Sequence, residues 1–171
     1  MTLGNKGDIL YNGGFIKQVK KHHFILIFFF LIVSAFINAQ TAQAIEDLLD
    51  LQAVSNQQAA WLVLEASNVS GTGIRSQTEA FRYAIEQNWL PASATANDRI
   101  RLDRLSFMIM QAFSIKGGLF YTLIGNPHYA YRELVHRNII TGRIAPGMAV
   151  SGDELLFIVN RVLSFQEANI L

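Results

Sequence analysis

The chain has 171 residues, of which 51 % are hydrophobic, so it can build one compact core but not comfortably two. It contains no cysteine, which excludes disulfides, a thiol nucleophile and a lipid-bearing cysteine. The formal net charge of +1 includes four lysines that precede residue 40, so the remainder is mildly acidic and lacks the basic surface that nucleic-acid binding requires.

Residues 1–39 have the three parts of an export signal in order. A basic cluster at residues 17–23 precedes an uncharged apolar run at residues 24–37, and small residues suited to cleavage follow, after Ala39 or after Ala44. The apolar run is shorter than the roughly twenty residues of a permanent membrane helix. We therefore predict an exported protein of the periplasm or cell envelope, with an uncleaved membrane anchor as the alternative.

The pattern past the leader is helical throughout. Residues 41–51 place apolar side chains on one face of a first helix. Ser55 and Ser76 each begin a capping box, Ser-x-x-Gln and Ser-x-x-Glu, which predicts a second and a third helix. The third helix is expected to run to about Asn88, because the nearby Pro91 cannot donate a helical hydrogen bond.

An internal repeat with an offset of fifty residues organises the rest of the chain. Starting from Ala80 and Ala130, the register continues without a gap over some thirty-four positions. The matched pairs include Asn88 with Asn138, Ile100 with Val150, Leu105 with Leu155 and Phe107 with Phe157. Residues 53–66 form a partial third copy at an offset of 96.

The repeat predicts an all-α fold for residues 40–171. Two full and one partial helix-loop-helix units should form a compact bundle of about six helices, because such units bury their apolar faces only by sharing a core. One aromatic side chain of each copy is expected to point inward: Trp61, Phe107 and Phe157.

The run Asn138-Ile139-Ile140-Thr141-Gly142, followed by the capped turn Val150-Ser151-Gly152-Asp153-Glu154, resembles the S-layer homology (SLH) repeat of bacterial cell-envelope proteins. The resemblance covers roughly residues 53–66, 79–113 and 129–164. It implies a helical-repeat fold and binding to cell-wall polymer. The Thr-Arg-Ala-Glu-like signature of polymer-binding members is replaced by Ser151-Gly152-Asp153-Glu154 and Arg101-Leu102-Asp103-Arg104, so the resemblance supports the fold better than the binding.

Residues with catalytic potential are scarce in the mature chain. Its two imidazoles are His128 and His136, and Glu133 forms a Glu-x-x-His pair with the second. Di-iron bundles repeat that pair on another helix, but the position matched to Glu133 is Tyr83, so a solvated helix face with a local ion pair is the favoured interpretation. We predict no enzyme, no metal and no cofactor; an envelope hydrolase is the least favoured class.

Aromatic and arginine side chains near helix ends and in the connection between residues 114 and 128 are candidate contacts for a sugar or a partner surface. The candidate residues are Trp89, Arg101, Arg104, Tyr121, Tyr129, Arg132 and Arg143. Inward packing of the connection is the favoured alternative, because its apolar residues suggest a buried segment: Leu119, Phe120, Leu123 and Ile124. Bridging between repeats is the favoured alternative for Arg132 and its counterpart Arg82.

These features predict an exported, non-enzymatic binding module that recognises cell-wall polymer. An accessory component that assembles with another envelope protein is the competing class. Membrane contact is expected only through the leader, if it stays uncleaved. The Gly117-Gly118 pair with Tyr121, and the run at residues 129–134, are also similar to small exported spirochaetal proteins with no assigned activity.

Overall fold

The computed structural model describes residues 46–67, 74, 76–142 and 145–170. The leader at residues 1–39, the start of the predicted first helix and Arg143 lie outside the described residues. The described part of the chain is compact and all-α, as predicted; it has no β-strand and only two isolated backbone bridges.

A helical segment at residues 46–49 precedes six helices in the described ranges. These are α1 (Asn56–Ala66), α2 (Gln77–Glu86), α3 (Leu102–Ala112), α4 (Leu119–Ile124), α5 (Pro127–His136) and α6 (Gly152–Ile170). The most extensive packing joins α3 to α5 and α1 to α2, and α1 also contacts α3 and α6. Helices α1, α3 and α6 contribute most of the buried side chains, and α2 and α5 pack against α1 and α3, respectively.

The predicted capping residues start their helices. Ser55 forms a complete capping box, in which its hydroxyl accepts from the backbone of Gln58 and its own N–H donates to Gln58 Oε1 at 2.9 Å. Ser76 accepts from the backbone of Glu79 at 3.2 Å. Ser151 caps α6, since its hydroxyl accepts from the Glu154 N–H at 3.4 Å while its own N–H donates to the Glu154 carboxylate at 3.0 Å. Side-chain oxygens thus satisfy N–H groups that have no partner within the helix.

Helix α2 ends at Glu86, earlier than predicted, and an asparagine is the reason. Asn88 takes the left-handed conformation with φ of 58°. The next residue, Trp89, donates its N–H to the Ala84 carbonyl at 2.8 Å. A left-handed residue followed by this bond is a Schellman motif, and asparagine tolerates that conformation better than most residues. The helix is therefore closed before Pro91 is reached.

Helix α5 ends in the same way fifty residues later. Asn138 has φ of 57°, and the Ile139 N–H donates to the Leu134 carbonyl at 2.9 Å. Helix α3 also ends on a left-handed residue, Ser114 at φ of 50°. The matched asparagines thus have matched backbone roles.

Three buried residues at the centre of the fold close a ring of backbone hydrogen bonds. Val54 donates to Val150 at 2.8 Å, Val150 donates to Ile100 at 3.3 Å, and Ile100 donates to Val54 at 2.9 Å. Each of the three directly precedes the N-cap residue of α1, α3 or α6. The three helices therefore start from one shared, water-excluded point.

Gly152 allows the segment before α1 to lie against the start of α6. Its N–H donates to the Leu51 carbonyl at 2.9 Å. A Cβ atom at this position would overlap the Leu48 carbonyl, so only glycine permits the approach.

The prediction of three inward aromatic rings is wrong for Phe157. Trp61 and Phe107 are partly buried against the core, but Phe157 is 51 % exposed. The Phe107 ring meets Tyr121 of α4 at a centroid distance of 6.4 Å. The only ring contact of Phe157 among the described residues is the guanidinium of Arg161 at 5.4 Å. The ring of Phe107 is therefore partly covered because Tyr121 of α4 packs beside it, whereas the matched ring of Phe157 remains half exposed.

Candidate functional site

Helix α4 exposes its apolar side chains, so the predicted burial of this connection is wrong. Leu119 is 70 % exposed, Phe120 64 %, Leu123 72 % and Ile124 52 %. Large apolar side chains grouped in this way on a surface mark a binding site more often than a scattered exposed leucine does.

Tyr121 is the side chain that anchors α4 to the rest of the protein. Its ring lies over Gly117, where a Cβ atom would overlap it, and beside Phe107. Its hydroxyl accepts from Gln111 Nε2 at 2.7 Å, while burial raises the pKa of Tyr121. A six-residue helix has only one inward side, and Tyr121 fills it. The remaining apolar side chains of α4 are left on the outside.

Glu133 of α5 holds the start of α4 in place. One carboxylate oxygen accepts from the Gly118 N–H at 2.9 Å, and the other pairs with Arg137 Nη2 at 2.8 Å. Burial works to raise the pKa of Glu133, but the bond from Gly118 and the charge of Arg137 outweigh it and lower the pKa. Arg137 also donates to the Lys116 carbonyl. The loop before α4 is thus fastened at two backbone positions.

The exposed side chains of α4 continue onto α5. Phe120 stacks on Tyr129, with ring centroids 5.8 Å apart and planes 11° from parallel. Arg132 is exposed and lies three residues from Tyr129, on the same side of the helix. We call this surface the α4–α5 corner, formed by Leu119, Phe120, Leu123, Ile124, Tyr129 and Arg132.

A second feature is a cleft where α6 passes the ends of α3 and α5. Arg137 lies over the Phe165 ring, with its guanidinium carbon 5.2 Å from the ring centroid. Openings of about 530 Å³ and about 320 Å³ share these two side chains. We call the two openings together the Arg137–Phe165 cleft. The other lining residues are Phe113, Ser114, Ile115, Lys116, Asn138, Ile139, Arg161, Ser164 and Gln166.

The cleft combines cationic, amide and hydroxyl side chains around the Phe165 ring. No acidic side chain is among its described lining residues. Arg137 already contacts Glu133 and the Phe165 ring. Lys116 is exposed, and the described ring contact of Arg161 is with Phe157. Such a set of side chains can hydrogen-bond a sugar, stack on its ring and neutralise an acidic substituent.

The structure separates the predicted site residues. Trp89 is only 8 % exposed and packs edge-on against Tyr83 at 5.4 Å, so it belongs to the core. Arg101 pairs with Asp103 at 2.7 Å at the N-terminal end of α3, and Arg104 is half-buried beside it. An eleven-residue helix is about 16 Å long, which separates these arginines from α4, beyond the other end of α3.

Three predicted residues do meet, since Tyr121 supports the α4–α5 corner while Tyr129 and Arg132 belong to it. Arg143 lies outside the described residues. Arg132 and its counterpart Arg82 are exposed, and neither makes an ion pair within the described ranges, so the bridging interpretation has no support there.

Sequence reasoning missed Arg137, Arg161 and Phe165. Their counterparts fifty residues earlier are Gln87, Gln111 and Ile115, so these three cleft residues stand at positions where the aligned segments differ. A comparison that also examined the differences between the copies could have found them.

The Glu133–His136 pair does not form part of a metal site in the described structure. Both carboxylate oxygens of Glu133 already accept hydrogen bonds, and its ion pair is with Arg137 rather than His136. The part of the chain that the structure describes holds no group of three or more potential metal ligands.

Comparisons with protein-family models, with curated proteins and with solved structures find no match. Among the described helices, none has the length and apolarity needed to span a membrane. The described structure is an all-α domain with an exposed apolar surface on α4 and a cationic cleft beside α6.

Proposed function

We propose that the chain is an exported, non-enzymatic module of the cell envelope that binds an anionic cell-wall polymer in the Arg137–Phe165 cleft. The observation behind this proposal is the composition of the cleft, which places Lys116 and Arg161 at openings shared by an aromatic ring and lined by no described acid. Its openings fall within or near the size range of sites for small ligands, so each suits a short stretch of a longer chain.

We also propose that the domain is a set of SLH-like repeats. Two observations support this part. The ends of α2 and α5 share a Schellman motif with asparagines at φ of 58° and 57°, fifty residues apart. The central ring joins Val54, Ile100 and Val150, which occupy the same position in the three predicted copies. Repeats that share one core explain both.

The proposed polymer site does not depend on the signature that this chain lacks. That signature falls at the starts of α3 and α6, where Arg101 is paired with Asp103 and Ser151 is used as a cap. The cleft instead lies near the C-terminal end of α3, beside residues 113–116. A polymer-binding role in this chain therefore has to use different residues.

The test is co-sedimentation of the protein with purified cell-wall sacculi. The cleft variant combines Lys116→Glu and Arg161→Glu, and the control combines Arg82→Glu and Arg99→Glu. Lys116, Arg82 and Arg99 are exposed and Arg161 is half-buried, and the net charge changes equally in both variants. We expect the wild type and the control to be retained and the cleft variant to bind at least about tenfold more weakly.

Two results would reject the polymer proposal. One is that wild-type protein is not retained by sacculi yet forms a stable complex with a single envelope protein, which would favour the assembly class. The other is equal retention of the cleft variant and the control, which would show that any binding is not localised in the cleft.

A further inference from the structure

The α4–α5 corner has a charge environment unlike the rest of the domain. Residues 117–127 contain no charged side chain. Residues 113–142 carry three basic side chains and one acidic one, and that acid, Glu133, is paired with Arg137. In the remainder of the described chain, acidic residues outnumber basic ones by eleven to five. Lys116 and Arg137 line the cleft, so the basic side chain of the apolar surface itself is Arg132, whereas the remainder of the described chain is acidic.

Contacts on the inner side of α4 keep the apolar side chains of the α4–α5 corner on the outer surface. Tyr121 is fixed by Gln111 and Phe107 on the inner side, and Gly118 is bound by Glu133. The Thr122 hydroxyl is used internally, since it donates to the Gly118 carbonyl at 3.1 Å. The surface of α4 thus offers apolar side chains without a polar group aimed at a partner, which suits a fluid apolar phase better than a specific protein groove.

We propose that the α4–α5 corner inserts into the interfacial region of an anionic lipid bilayer. Leu119, Leu123 and Ile124 enter the boundary between headgroups and acyl chains, and Phe120 enters with its partner ring. Tyr129 lies at the polar edge of that boundary, where aromatic rings with a polar tip are favoured. The exposed guanidinium of Arg132 contacts lipid phosphates, whose negative charge complements its own.

This membrane contact is independent of the polymer-binding proposal, because it uses other side chains. It also differs from membrane attachment through the leader, since it is made by the folded domain. The bilayer is preferred to a protein partner because an uncharged apolar helix with an aromatic ring and an arginine at its edge offers groups that are favoured at the boundary between headgroups and acyl chains.

The test uses the absence of cysteine from the chain. The full chain is produced with its own leader and purified from the envelope fraction, with a single Leu123→Cys substitution labelled with an environment-sensitive fluorophore. The matched control is Glu86→Cys, on the exposed surface of α2. Both are mixed with vesicles of phosphatidylglycerol and phosphatidylcholine, or of phosphatidylcholine alone, some containing spin-labelled acyl chains.

With anionic vesicles, we expect a several-fold rise in emission from the label at position 123 and quenching by the spin-labelled lipid. The label at position 86 should change little. Arg132→Gln in the Leu123→Cys background should weaken partitioning about fivefold on anionic vesicles and leave it unchanged on neutral ones. Since both labelled positions are exposed, thermal unfolding should match that of the unlabelled protein.

The proposal is overturned if spin-labelled lipid fails to quench position 123, or quenches positions 123 and 86 equally. It is also overturned if the label at position 123 becomes shielded without lipid, either as protein concentration rises or on addition of a delipidated envelope extract. The first of those results would assign the corner to a second copy of the chain, and the second to a protein partner.

Discussion

The α2–α3 unit and the α5–α6 unit have the same backbone signals but different surroundings. Both of their first helices end on a left-handed asparagine with the same hydrogen bond. Their matched rings differ, because Tyr121 of α4 packs beside Phe107, whereas the ring contact described for Phe157 is with Arg161 of its own helix. The backbone geometry at the two helix ends is therefore the same where the residues match, whereas the exposure of a matched side chain depends on what packs against it.

The largest expected effect tests the feature that the two units share. Leu105 and Leu155 are matched and fully buried. We expect Leu105→Ala and Leu155→Ala each to lower the free energy of unfolding by about 2–5 kcal/mol, because each leaves a cavity in the common core. Urea denaturation followed by circular dichroism measures both. A loss of less than about 1 kcal/mol at either site would show that the two units do not depend equally on one core.

The next prediction tests how the units differ. Phe107→Ala should lower the free energy of unfolding by about 2–4 kcal/mol, because it removes a ring packed against the core and Tyr121. Phe157→Ala should cost less than about 1 kcal/mol, since that ring is half exposed. The same denaturation measurement applies. Equal losses would mean that the difference in burial has no energetic consequence.

The contacts of Glu133 with Gly118 and Arg137 have no equivalent in the α2–α3 unit, because the residue fifty positions before Glu133 is Tyr83. Glu133→Gln should lower the free energy of unfolding by about 1–3 kcal/mol at pH 7, through weaker bonds to Gly118 and Arg137. Because the pKa of Glu133 is lowered in the folded protein, the ionised carboxylate stabilises the fold at pH values above its ordinary pKa near 4.5. This stabilisation is lost as the pH falls through the lowered pKa.

The difference between wild type and Glu133→Gln should therefore be constant from pH 7 to about pH 5 and shrink below it. Denaturation curves across that range provide the measurement. A difference that grows towards acid pH would contradict the proposed role of the carboxylate.

The smallest predicted effect concerns the shared helix ends. Asn88→Ala and Asn138→Ala should each cost about 1 kcal/mol, because alanine is less tolerant of a positive φ. Asn88→Gly and Asn138→Gly should restore or slightly exceed wild-type stability, since glycine has no Cβ atom. Thermal unfolding of the four variants checks this. Alanine and glycine variants of equal stability would argue against a left-handed conformation.

The sequence allowed the helical class and the helix caps to be predicted, because local periodicity and short-range hydrogen bonding determine them, whereas the left-handed asparagines that end α2 and α5 were matched but not recognised as helix ends. Ser55, for example, satisfies orphan backbone groups through a residue three positions away. The exposure of α4 could not be deduced in this way. Its apolar composition is equally compatible with a buried segment, and only the packing of Tyr121 shows which side faces inward.

The candidate sites show the same limit. Tyr129 and Arg132 were predicted because their residue types suit recognition, and they share one surface in the fold. Trp89 also has a residue type that suits recognition, but its side chain is buried in the core, because the chain turns at the left-handed residue Asn88 that precedes it. Arg137 and Phe165 meet only because α6 returns past the end of α5, a contact between residues far apart in the sequence.

The central claim is that two separate surfaces bind two separate components of the envelope. The most direct test is parallel co-sedimentation with sacculi and with anionic vesicles of the wild type, the Lys116→Glu/Arg161→Glu variant and a Leu119→Gln/Leu123→Gln variant. We expect the cleft variant to bind sacculi at least about tenfold more weakly and still to sediment with vesicles, and the α4 variant to do the reverse. Loss of both activities in either variant, or of neither in both, would contradict the central claim.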